Sequence, residues 1–207
     1  MGPLAMLIRK RMKGGRMKRS RLAFLSLGLA LGILVAVTSA SGLSGQRRGH
    51  IVRWDFAQVI QGTGLAGGTD VGLDSASGNT ISLTGSGHAK PARHRAFGGG
   101  TFVHTDSEGN EVAHGVYVVT GFVSWQSLAG TFPAPMDGIG NIRQAHAGVL
   151  VLDVRFFPEG GSPADGVLTI NCHFPDTPAE IEEGFELSVG SFNFTPAGGV
   201  TLFHVFK

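Results

Sequence analysis

The chain has one cysteine among its 207 residues, Cys172, so it cannot form an intrachain disulfide. Charged residues make up only 15% of it. No window after residue 40 carries an apolar stripe at helical spacing. No second uncharged run follows the first forty-six residues at a length that spans a bilayer of about 30 Å. The motifs G-x-S-x-G, H-x-H and H-E-x-x-H do not occur. Together these absences exclude a disulfide scaffold and a helical bundle, and they leave no motif for a serine hydrolase or a zinc protease.

Positive charge is also scarce where a partner would meet it. Lys and Arg number 17 and Asp and Glu 15, but eight of the 17 precede Leu22 and all 15 acids follow Ala40. Without the first forty residues the chain has nine basic and 15 acidic side chains, a net charge of about −6. That balance argues against nucleic acid or an anionic membrane as partner.

The first forty residues are themselves informative. A basic head from Arg9 to Arg21 leads into an apolar run, Leu22 to Val37, which closes on the small residues Thr38, Ser39 and Ala40. These are the three parts of a secretory signal peptide over residues 1–40, so a secreted, extracellular protein is expected. The uncharged stretch continues to Gln46, and an uncleaved signal anchor is the second reading. The anchor would hold the same domain outside the cell, with the leader as its only membrane contact. Residues 41–50 are polar and Gly-rich and read as a flexible mature N-terminus. Residues 51–207 then form one domain, large enough to bury roughly 70% of its unfolded surface.

The period of that domain is two. Val52, Trp54 and Phe56 alternate with Arg53 and Asp55; Leu150, Leu152, Val154 and Phe156 alternate with Asp153 and Arg155; Leu168, Ile170, Cys172 and Phe174 alternate with Thr169, Asn171 and His173. Each pattern describes a strand with one dry and one wet face. Turn-forming clusters separate them at 74–79, 106–110, 158–163 and 196–199. The expected fold is all-β, with about eight strands in a single antiparallel barrel or, alternatively, a two-sheet sandwich. The connection from Leu128 to Gln144 has no strand pattern and reads as a loop closing one barrel end or as a lid over a binding site.

Several side chains could bear chemistry. His104 and His114 flank the turn at 106–110. A three-residue loop with Gly109 in the left-handed region would set them diagonally on one face, within reach of one metal ion. A two-residue turn would throw them to opposite faces. Arg93 and Arg95 lie in the one basic cluster after residue 50 and could grip an anionic group. Tyr117 and Trp125 share odd parity in the strand Glu111 to Ser127. If that face is outside, they could stack on sugar rings; otherwise they fill the core. His146 and His204 fall on dry parity. Asp70 and Asp74 suit Asx-turn chemistry better than calcium. Cys172 also falls on dry parity, where a thiol is inert, and its neighbour His173 points the other way. Gly62 to Gly67 matches G-x-G-x-x-G, but no helix-forming stretch follows to receive a dinucleotide. No cofactor is implied.

Gly98 to His104, His114 to Ser124 and Gly199 to Phe203 resemble a loose group of exported microbial β-rich proteins. Because that group has no settled activity, the resemblance assigns no residue a role. The expectation is a non-enzymatic extracellular binding or structural module with a ligand or cell-surface partner outside the cell. The alternative is a small barrel enzyme, isomerase- or cyclase-like, shaping an apolar substrate in its interior. Dirigent and allene oxide cyclase barrels are analogies in architecture alone. A carbohydrate-binding surface at Tyr117 and Trp125 is the third reading.

Overall fold

The structure, a computed structural model, describes residues 49–61, 64–132 and 137–206. The leader and most of the 41–50 segment lie outside them. Thirteen strands account for the fold: β1 (Ile51–Ile60), β2 (Gly64–Gly67), β3 (Thr69–Asp74), β4 (Asn79–Thr84), β5 (Ser86–Lys90), β6 (Arg95–Thr105), β7 (Glu111–Ser127), β8 (Ala145–His146), β9 (Gly148–Pro158), β10 (Ala164–Cys172), β11 (Gly184–Val189), β12 (Phe192–Gly198) and β13 (Val200–Phe206). Among the described residues the helical pieces are two 3-10 turns, Pro91–Arg93 and Ile142–Gln144.

Eight strands close an antiparallel barrel in the order β4-β3-β12-β11-β10-β9-β7-β6, with β6 returning to β4. Of the two architectures left open by the period-two pattern, the barrel is the one that forms. Closure removes the unpaired edges that a sandwich would leave. The alternation sets the register. Leu152 pairs with Leu168, and Leu150 with Ile170, so the dry faces of β9 and β10 enter the lumen together. Phe102 and Tyr117 pack on Phe156 at ring separations of 5.1 and 5.4 Å. Leu83, Leu187, Phe185 and Phe194 fill the remaining space and are buried. Each such side chain contributes roughly 1.5–3 kcal/mol. The outer face of β6, β7, β9 and β10 leaves Val103, Val116, Val118, Phe157 and Val167 exposed.

A second layer seals one end. Strand β6 divides: its first half pairs with β5 and its second half with β4. Strand β5 leads to β1, and β1 pairs along its length with β13. One face of this layer plugs the barrel. Phe56 meets Phe185 at 5.6 Å and Phe203 meets Trp125 at 4.8 Å. The Thr201 hydroxyl donates to the Asn171 carbonyl at 2.6 Å, and the Cys172 thiol donates to the Thr201 carbonyl at 3.3 Å. The other face of β1 carries Arg53 and Asp55, the residues expected to be wet. Asp55 is only 4% exposed. Its strand lies inside the molecule and is covered on both sides, which a single alternating pattern does not convey.

Candidate functional site

The polar face of the β1–β13 layer concentrates the buried ionisable groups. His204 and His88 pair with Arg53 from opposite sides, so the three stand in a row across β13, β1 and β5. Asp55 follows Arg53 two residues along the same face, and its Oδ1 accepts from Arg53 Nη2 at 2.8 Å. Burial pushes the Asp55 carboxyl above the usual range, against the pull of the Arg53 guanidinium. Its Oδ2 is buried with no hydrogen-bond partner.

The loop before β8 covers this row. Asp137 Oδ1 accepts from the amides of Ile139 and Gly140, each at 2.9 Å. Asp137 Oδ2 accepts from His204 Nε2 at 2.6 Å, and the two side chains are 1% and 0% exposed. Burial raises the Asp137 carboxyl, but the His204 bond and the two amides outweigh it, and the net shift is downward. The proton of the pair therefore sits on Nε2, and His204 Nδ1 is left buried without a partner. Arg53 Nη1 donates to the Ile139 carbonyl at 3.0 Å, and the Gly138 amide donates to the Leu65 carbonyl at 2.9 Å. Gly140 is required here, since a Cβ would stand 2.5 Å from His204 Nε2. The connection read as a rim or lid is thus latched onto the layer at residues 137–140; residues 133–136 lie outside the described ones.

Beside the latch, where β1 leaves β5 and turns toward β2, the surface opens into a pocket of about 440 Å³. Asp55, Gln58, Thr69, Thr84 and Ser86 line it over a glycine-rich wall. Three hydroxyl side chains and one amide form a hydrogen-bonding surface, with the open valence of Asp55 Oδ2 buried beneath it.

The residues singled out in the sequence are not brought together. The turn pairs Asp106 with Asn110 as expected, with the Asp106 amide donating to the Asn110 carbonyl and Gly109 at φ +87°. The register then slips by one, because Thr105 pairs with Glu111 but His104 pairs with Ala113. This bulge turns His104 and His114 to opposite faces, so they do not share a metal ion. His104 is half-buried, bonds Asn79 at 3.1 Å and packs on Phe192 and Phe194. His114 stands outside between Glu111 and Glu159, whose carboxylates raise its pKa.

Tyr117 and Trp125 do not make a stacking face. Tyr117 is 1% exposed inside the barrel and donates its hydroxyl to the Thr84 carbonyl at 2.9 Å. Two register shifts in β7 cancel, so Tyr117 opposite Phe156 and Trp125 opposite Leu150 keep to one face, the inner one, and Trp125 is half-buried against Phe203. Arg93 and Arg95 are exposed at the 3-10 turn and the start of β6. His204 is buried as expected, and His146 is half-buried. Cys172 is buried, and burial pushes its thiol well above the ordinary value. Gly64–Gly67 is a short strand followed by β3, not by a helix.

Scans of protein-family models, of curated proteins and of solved structures find no match to the chain.

Proposed function

We propose that the chain is an exported, non-enzymatic binding module whose ligand site lies on the outside of the barrel. One observation carries this reading: the lumen is filled by apolar side chains and its end is plugged by Trp54, Phe56 and Phe203. A small apolar ligand held in the lumen, or an apolar substrate shaped there, has no room. The pocket over Asp55 is one concavity among the described residues with a polar lining. Its hydroxyls and amide suit a ligand rich in hydroxyl groups, such as a glycan or polyol end group. The leader supports delivery of the domain to the cell exterior, where such groups are presented.

Native mass spectrometry of the protein recovered from culture medium tests both parts. The expected spectrum shows the mass of residues 41–207 carrying an added species that is lost on denaturation. Ser86 is exposed at the pocket, and Ser86→Trp should remove the added species without altering the fold. A bare mass, with no binding on a glycan and polyol array, would refute the pocket as a ligand site. Recovery only from membranes would refute cleavage and favour the tethered form.

A further inference from the structure

A buried carboxyl group, with a half-buried one near it, lies where β3 enters the barrel. Asp70 is 0% exposed. Its Oδ1 accepts from the Val71 amide at 2.8 Å, and its Oδ2 is buried without a hydrogen-bond partner. The corner between β12 and β13 presses on it. Gly199 lies there at φ +116°, and a Cβ on it would stand 2.4 Å from Asp70 Oδ1. Gly184 closes the other side at φ +121°, its Cβ position 3.5 Å away.

Glu183, next to Gly184, is the charged group facing Asp70. Both its oxygens are occupied. Oε1 accepts from the Thr201 amide and lies 3.0 Å from the Thr201 hydroxyl, whose single proton is directed to the nearer Asn171 carbonyl; Oε2 accepts from the His173 amide. Glu183 thereby ties β13 to the connection between β10 and β11. Cys172 and His173, at the end of β10, face Glu183. From β4, Leu83 stands opposite Asp70, and the β12–β13 corner from Pro196 to Val200 contains no charged residue. No Lys or Arg is among the groups that act on either carboxyl.

A buried carboxylate with a bare oxygen beside a second carboxylate, with no Lys or Arg to balance it, is costly. Keeping a proton on Asp70 removes that cost while Glu183 keeps its two amide donors. Burial and then the Glu183 charge push Asp70 up to about 7. We propose that Asp70 and Glu183 form a proton-dependent clasp, which seats the β12–β13 corner and the C-terminal strand on the barrel in mild acid and loosens them as the pH rises past neutrality. The native state holds a proton that the unfolded chain has already lost. The contribution is complete below the unfolded carboxyl range and disappears as the pH rises through about 7.

Hydrogen exchange of the whole protein, corrected for intrinsic rates, reads this directly. Between about pH 5.5 and pH 8.5 the protection of the β13 amides should fall about 30-fold, the change expected for one carboxyl titrating near neutrality. Protection in β9 should change far less. Asp70→Asn, neutral at every pH, should keep β13 equally protected at both. A fall of the same size in Asp70→Asn, or a parallel fall in β9, would overturn the clasp. Restoration of protection at high pH by millimolar calcium would also overturn it, since the pair would then hold a cation and not a proton. Should Asp70→Asn not fold, Glu183→Gln carries the test. It removes the facing charge that helps raise Asp70 and should move the loss of protection to lower pH, and an unmoved transition would refute the coupling.

Discussion

Breaking the Asp137–His204 latch is the most direct test of how the loop is held. The pair is 2.6 Å apart and excluded from water, so removing one member leaves the other buried without its partner, a loss of about 3–5 kcal/mol for a group that stays charged. The two sides are not equivalent. In His204→Ala the Asp137 carboxylate still accepts two amides, which holds the loss near the lower end. In Asp137→Asn, Oδ1 still serves those amides, but the new amide must donate to Nε2. The ring proton then moves to Nδ1, which has no acceptor, at a cost of about 1–3 kcal/mol. The double variant should recover part of the summed loss, giving a coupling energy above about 1 kcal/mol. Urea unfolding followed by the fluorescence of Trp54 and Trp125 measures each corner of the cycle, with an unchanged slope against urea as the check on a common unfolded state. The pH dependence has a definite sign. Asp137 is held below the usual carboxylate range, so its contribution is present above about pH 4 and lost on acidification below it. Single losses under about 0.5 kcal/mol with no coupling would refute a closed latch.

Other consequences are equally specific. Trp125→Ala should cost about 2–4 kcal/mol in the same assay, because its ring packs edge-on to Phe203 at 4.8 Å; unchanged stability with lost glycan binding would restore the stacking-surface reading. Tyr117 is the only tyrosine in the chain, and burial pushes its phenol well above the ordinary value. An ultraviolet titration should therefore show no tyrosinate until the protein unfolds in alkali, and Tyr117→Phe should cost about 1 kcal/mol for the lost bond to Thr84. Cys172 should resist a thiol reagent in native buffer and react fully in denaturant, since its sulfur lies under Thr201; fast native labelling would show that the plug opens.

The barrel was legible because β9 and β10 keep strict parity. Leu150 to Phe156 and Leu168 to Phe174 read as dry rows and are dry. Function-bearing placements failed where parity breaks. A single extra residue between Thr105 and Ala113 turned His114 away from His104, and no local pattern marks such a bulge. Asp55 reads as wet because alternation encodes one buried face, whereas β1 is covered by the barrel on one side and by residues 137–140 on the other. Asp137 sits in a Gly- and Pro-rich connection with no periodicity, so its partner His204, 67 positions away, was beyond reach. The glycine pair around Asp70 is similarly silent, since Gly184 and Gly199 come together only when the strands close.

The pairing of β1 with β13 has a consequence for how the chain acquires its shape. Ile51 sits opposite Phe206, so the plug is assembled from the earliest and latest strands of the described fold. Until β13 pairs with β1, the barrel end stays open and its Phe185 and Trp125 are unsheltered. Contacts of such long sequence separation make folding slow. The barrel end is therefore closed only when β13, the last strand of the described fold, joins β1.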